Sequence, residues 1–102
     1  MLRSGTLPTA IVSVSDLLAI GVIKGLQEGG IRIPEDVSVF GFGDFRLSAY
    51  LNPALTTVRI DLMAIGRRAA EALIAQYRGG RIGKTLIDCP LVWRDSVGSP
   101  RS

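Results

Sequence analysis

Ala10-Ile11-Val12-Ser13-Val14-Ser15-Asp16-Leu17-Leu18-Ala19 decides the fold class. A short run of β-branched and apolar residues after Pro8 reads as a buried strand over residues 10–14, and it passes at once into residues that favour helix starts. Ser15 and Asp16 both supply a side-chain oxygen suited to an N-cap, so the spacing predicts a helix over residues 17–27, ended by Gly29-Gly30. Downstream, Pro34-Glu35-Asp36 supplies turn material, and Val37-Ser38-Val39-Phe40-Gly41-Phe42 reads as a second buried strand. Two strands joined by a crossover that contains a helix form a parallel βαβ unit, for which a right-handed connection is expected.

Beyond the second strand, a mixed loop from Gly43-Asp44 to Pro53 has room for one helical turn over residues 47–51. Thr56-Thr57-Val58-Arg59-Ile60 reads as a short strand or extended connector. Asp61 then caps a longer helix whose residues Leu62, Ile65, Ala69, Leu73 and Tyr77 form one apolar stripe, with Arg67, Arg68, Glu71 and Arg78 on other faces. Gly79-Gly80 ends that helix. Thr85 to Asp88 and Leu91 to Arg94 read as two short extended pieces split by Pro90.

Composition narrows the chemistry. The 102 residues carry 12 basic and 9 acidic side chains and no His, which removes both the commonest acid-base switch and the commonest metal ligand. A lone Cys89 excludes an internal disulfide and a Cys-rich zinc site, so no metal or cofactor is expected, and a cytoplasmic setting is the simplest reading. The basic residues are dispersed, which argues against a nucleic-acid surface on this chain. No apolar run approaches the roughly 20 residues of a membrane span, and Met1-Leu2-Arg3-Ser4-Gly5 lacks the apolar stretch of a signal peptide. Gly41-Phe42-Gly43 is too short for a dinucleotide fingerprint. Ser13, Ser15 and Cys89 have no base to activate them, so an enzyme is not expected.

Two features invite a functional reading. Asp16 and Asp44 both follow strand C-terminal ends, where open α/β sheets bind ligands, and paired acids there could serve a sugar, a metal or acid-base work. The plainer reading has Asp16 accepting N–H groups at its helix start and Asp44 capping a turn. On the first helix, the 100° wheel places Leu18, Ala19, Val22, Ile23 and Leu26 on one side and leaves Leu17 and Ile20 among Lys24, Gln27 and Glu28. Such a pair is either part of a partner surface with a polar rim or two ordinary exposed hydrophobes.

Taken together, Pro8-Thr9-Ala10-Ile11, Ser15-Asp16-Leu17-Leu18-Ala19-Ile20-Gly21, Ile33-Pro34-Glu35-Asp36-Val37-Ser38-Val39-Phe40-Gly41-Phe42 and Pro53-Ala54-Leu55-Thr56-Thr57-Val58-Arg59 resemble, in order and spacing, the last third of lactose-repressor-like (LacI/GalR) regulators. Gly66-Arg67-Arg68-Ala69-Ala70 and Leu91-Val92-Trp93-Arg94-Asp95-Ser96 extend the likeness over residues 7–98. The resemblance implies part of a periplasmic-binding-protein-like type I fold. Residues 7–55 would belong to the C-terminal lobe, 56–60 to a crossover, 61–84 to a helix of the other lobe and 85–98 to return strands.

It further implies an effector-sensing and dimerising segment of a transcriptional regulator, whose operator DNA is met through an N-terminal helix-turn-helix outside this chain. A fragment of a solute-binding protein shares the fold and is the competing reading. By position, Ser15, Asp16, Gly43, Asp44 and Ile60 would face the small-molecule effector, and Leu17, Ile20, Lys24, Glu28, Tyr50 and Leu51 would lie at a homodimer contact. The family pattern has Asn before Asp16, Asp before Asp44 and Gln after Arg59. This chain has Ser15, Gly43 and Ile60, which offer far fewer directional contacts to sugar hydroxyls. Either the effector is less hydroxylated than a sugar or the site has been lost.

Overall fold

The computed structural model describes residues 6–81 and 83–101. They divide into two compact units, one from Met1–Arg59 with Pro90–Ser102, the other Ile60–Cys89.

The first unit is built on the expected βαβ. β1 (Ala10–Val12) pairs in parallel with β2 (Ser38–Phe40), in the register Ala10 to Ser38, Ile11 to Val39 and Val12 to Phe40. Between them runs α1 (Asp16–Glu28). β1 is two residues shorter than the apolar run, although the Ser13 amide still donates to the Phe40 carbonyl at 2.9 Å. Ser15 alone caps α1, its hydroxyl accepting from the Leu18 amide at 3.2 Å. Asp16, expected as an alternative cap, has turned away from the helix end.

α1 packs on β2 through Ala19, Ile23 and Leu26, which join Ile33, Val37, Val39 and Leu55 in one buried cluster. Burying each large aliphatic side chain of that kind contributes about 1.5–3 kcal/mol. Leu18, expected on the covered side, is 55% exposed. The fully covered positions of α1 are Asp16, Ala19, Ile23 and Leu26, Val22 packs partly against the cluster, and Leu18 lies outside it.

After β2, a 3-10 turn (Arg46–Tyr50) leads to β3 (Thr57–Val58), which pairs antiparallel with β4 (Leu91–Val92). Residues beyond β4 lie against β2: the Val39 amide donates to the Ser96 carbonyl at 2.9 Å, and the Ser96 hydroxyl donates to the Val39 carbonyl at 2.6 Å. The guanidinium of Arg101 donates to the carbonyls of Leu7, Pro8 and Asp36, binding the tail to the start of β1.

The second unit contains α2 (Leu62–Tyr77), capped as expected by Asp61, whose carboxylate accepts from the Ala64 amide at 3.0 Å. Gly79 follows at a φ of +90°, a left-handed conformation that glycine adopts without strain. No residue of α2 is buried, and its apolar stripe of Leu62, Ile65, Ala69, Leu73 and Tyr77 is exposed throughout. Thr85 to Asp88, expected as an extended strand, forms no regular element, since no strand in the described residues pairs with it. Cys89 is exposed.

Candidate functional site

Three segments lie side by side where β1 and β2 end. The Asp16 amide donates to the Phe42 carbonyl at 3.1 Å, the Gly41 amide to the Thr56 carbonyl at 2.9 Å and the Gly43 amide to the Val58 carbonyl at 2.7 Å. Residues 13–16, 40–45 and 56–59 are thereby locked into one rim. This rim brings together Ser15, Asp16, Gly43 and Asp44 of the residues expected around an effector; Ile60 belongs to the second unit.

The two aspartates have different tasks. Asp16 is fully buried, and its carboxylate accepts from the Thr57 hydroxyl at 2.6 Å, the Phe45 amide at 2.9 Å and the Ser48 hydroxyl. It joins α1, the 3-10 turn and β3, and has no face open to a ligand. Gly41 is part of the same device: a β-carbon there would collide with the Asp16 carboxylate and stand 2.7 Å from Leu55 Cδ2.

Asp44 sits at the mouth, at a φ of +57°. One oxygen accepts from Arg59 Nε at 2.9 Å and the other pairs with Arg94 Nη2 at 2.9 Å. Burial works to raise its pKa, but the hydrogen bonds and charges of Arg59 and Arg94 outweigh burial and hold the carboxyl below its ordinary value. Arg94 also donates from Nη1 to the Leu55 carbonyl at 3.0 Å, and its own amide donates to the Thr56 hydroxyl at 2.9 Å. Arg59 and Arg94, flanking β3 and β4, are the charged residues of the candidate site that sequence reasoning missed. The signal was an Arg after Thr57-Val58 and another after Trp93 with a single acid to share, which only the pairing of β3 with β4 brings together.

The rest of the rim is apolar. Phe42 joins Val12, Ser13 and Val14 around a depression of roughly 300 Å³, and Phe45 is 44% exposed. A second depression of roughly 350 Å³, lined in part by Gln27, Ile31 and Pro53, lies at the C-terminal end of α1 and contains none of the expected site residues. Gly43 has a φ of +125°, which a side-chain-bearing residue rarely adopts, and a β-carbon there would meet the Phe45 ring at 3.3 Å.

On the expected dimer surface, Leu17 is 68% exposed, Lys24 and Glu28 are exposed and Tyr50 is 80% exposed. Ile20 is half-buried, and Leu51 packs partly against the core cluster.

Residues 1–97 match the periplasmic binding protein-like domain. The chain belongs to that family. It is 36% identical over 92 residues to the HTH-type transcriptional repressor CytR of Escherichia coli K12, a match covering 88% of this chain and 27% of the repressor. To the HTH-type repressor PurR of Vibrio atlanticus it is 42% identical over 71 residues, covering 70% of this chain and 21% of the relative. In structure it resembles the lac repressor dimer bound to operator and the anti-inducer ONPF, with a TM-score of 0.91 and 31% identity over 97% of this chain and 35% of that one. A LacI-family regulator of Arthrobacter sp. FB24 in complex with lactose superposes with a TM-score of 0.80 and 35% identity over 95% of this chain and 37% of that one. The chain therefore corresponds to part of the ligand-binding region of LacI-family regulators, and spans about a quarter of the length of the curated relatives it matches. No helix among the described residues is long and apolar enough to cross a membrane.

Proposed function

We propose that this chain is the effector-sensing and dimerising portion of a LacI-type transcriptional regulator, non-enzymatic and working in the cytoplasm. The observation that carries the reading is the rim itself: residues 13–16, 40–45 and 56–59 are hydrogen-bonded together at strand C-terminal ends, where α/β proteins take ligands, in a chain superposing on an operator-bound repressor. Ser15, Gly43, Asp44 and Ile60 are the residues proposed to border the effector, with Asp16 holding their segments in place. Operator DNA would be met by a helix-turn-helix outside these residues, and a ligand-dependent change at the rim would be transmitted to it.

Pairing of two regulator copies is proposed through the stripe Leu17, Ile20, Lys24 and Glu28 on α1, with Tyr50 and Leu51 beside it. Steps of three and four residues place the four helical positions on one face, and the exposure of Leu17 and Tyr50 supports the reading. The deciding experiment replaces the matching segment of lac repressor with residues 7–98. The chimera is expected to dimerise and to occupy operator; a soluble, folded chimera that remains monomeric would remove the dimerisation role.

A further inference from the structure

We propose that the small molecule recognised at this rim is an organic anion, whose carboxylate or phosphate group pairs with Arg59 over Gly43. The inference rests on the effector-binding reading above and names the ligand class for the same site.

Two guanidinium groups, Arg59 and Arg94, converge on the single carboxylate of Asp44, so the cluster is left with one positive charge in excess. Asp16, the other acid of the rim, is buried and spends its oxygens on Thr57, Phe45 and Ser48. It offers no counter-charge at the mouth.

The excess charge is placed for use. Arg94 is largely enclosed, with its Nη groups on Asp44 and on the Leu55 carbonyl. Arg59 is 57% exposed and engages Asp44 through Nε, while among the described residues its two terminal NH₂ groups make no hydrogen bond. A guanidinium anchored at Nε has its remaining donors held in a planar fork, the geometry that meets a carboxylate or phosphate with two parallel bonds.

The space beside the fork is open for a definite reason. Gly43 and Arg59 are bridge partners, so a side chain at position 43 would stand next to Arg59, and Gly43 has none. A ligand carboxylate at that place would balance the excess positive charge of the cluster. The Phe45 ring borders the same space, so an anion with a flat or apolar body suits it better than a polyhydroxylated one.

The test titrates the 102-residue chain at constant ionic strength with benzoate and inorganic phosphate, and with benzamide and glucose as neutral comparators, following binding by calorimetry and the arginine side-chain resonances by NMR. Saturable binding of benzoate or phosphate is expected, at least about tenfold tighter than either neutral compound, with the Arg59 Nε–H resonance among those that move. Benzoate alone would identify a carboxylate ligand, and phosphate alone a phosphorylated one. Arg59→Met should weaken the anion at least about tenfold, whereas Arg59→Lys should keep a preference for benzoate over benzamide. If Arg59→Met proves unfolded by circular dichroism, the Arg59→Lys preference decides. Glucose or benzamide binding as tightly as the anions would overturn the anion assignment and leave the effector site standing. Anion binding indifferent to Arg59 would also overturn the assignment, and failure of every probe to saturate would count against both readings.

Discussion

Gly41 and Asp16 occupy adjoining space so completely that neither can grow: a β-carbon on Gly41 would overlap the Asp16 carboxylate and press on Leu55. Gly41→Ala should therefore force the hub apart and cost about 1–3 kcal/mol, as overpacking of a dense interior does. Urea denaturation followed by circular dichroism reads this directly, and an unchanged midpoint would show that the hub has slack.

Removing the carboxylate has the opposite geometry and a larger effect. Asp16→Ala leaves the hydroxyls of Ser48 and Thr57 and the Phe45 amide without their acceptor inside the protein. Each such loss costs about 1–3 kcal/mol, so the variant should be unfolded or nearly so at room temperature. Asp16→Asn, which keeps an acceptor oxygen, should fall between the two. Equal stability of the Ala and Asn variants would mean that the contacts contribute nothing individually.

Acid should loosen the first unit in a defined window. Asp44 is held below its ordinary value by Arg59 and Arg94 against the opposing effect of burial, and Asp36 is held below its own chiefly by hydrogen bonds from Arg32. A depressed folded-state pKa contributes stability above the unfolded value of 3.8, and that contribution is lost as pH falls through the folded one. Stability should thus be level above about pH 5 and decline below about pH 4, with a shallower decline in Asp44→Asn. Urea midpoints at stepped pH would show it; identical acid limbs in the two proteins would exclude Asp44 as a contributor.

The α1 stripe predicts a dimer that one charge can break. In the lac repressor chimera carrying residues 7–98, Ile20→Asp would place an unpaired carboxylate in the contact, at a cost of several kcal/mol to association. Sedimentation at low concentration should then show monomer where the unsubstituted chimera is dimeric. A persistent dimer would relocate the interface.

Rebuilding the related polar pattern should succeed at only two of the three positions. Ser15→Asn keeps a competent N-cap, and Ile60→Gln adds an amide at a half-buried position. Gly43→Asp must hold a side chain at a φ of +125° beside the Phe45 ring, which costs about 1–3 kcal/mol. Common mono- and disaccharides should bind the unmodified chain no tighter than about millimolar, and the triple variant should lose thermal stability before it gains sugar affinity. Micromolar sugar binding by the unmodified chain, measured by calorimetry, would show that these positions matter less than their chemistry suggests.

Local pattern was enough to read the βαβ unit, because β-branched runs, a Ser cap and paired glycines each act within a few residues of themselves. The destination of Asp16 was not legible in that way. Capping preference depends on the nearest amides, while Asp16 answers to donors 29, 32 and 41 residues away. A helical wheel reports which residues share a face, whereas burial depends on what packs against that face: Val22 reaches the core cluster and Leu18 does not. The Arg59 and Arg94 pair escaped notice for a related reason: two dispersed arginines become a cluster only when β3 and β4 are laid against each other.

The hydrogen bond from the Arg59 amide to the Pro90 carbonyl, 2.9 Å long, closes the ladder of β3 and β4 at the two residues where the chain departs from the first unit and comes back to it. Thirty intervening residues hang from that stem like a cassette between two adjacent cut sites. Excising residues 60–89 and splicing a short Asn-Gly turn between Arg59 and Pro90 would leave the core cluster, the Asp16 hub and the Arg101 tie all within one shorter polypeptide. The same stem is a natural port for grafting a foreign module whose own ends lie close together, because the receiving ends are already in register.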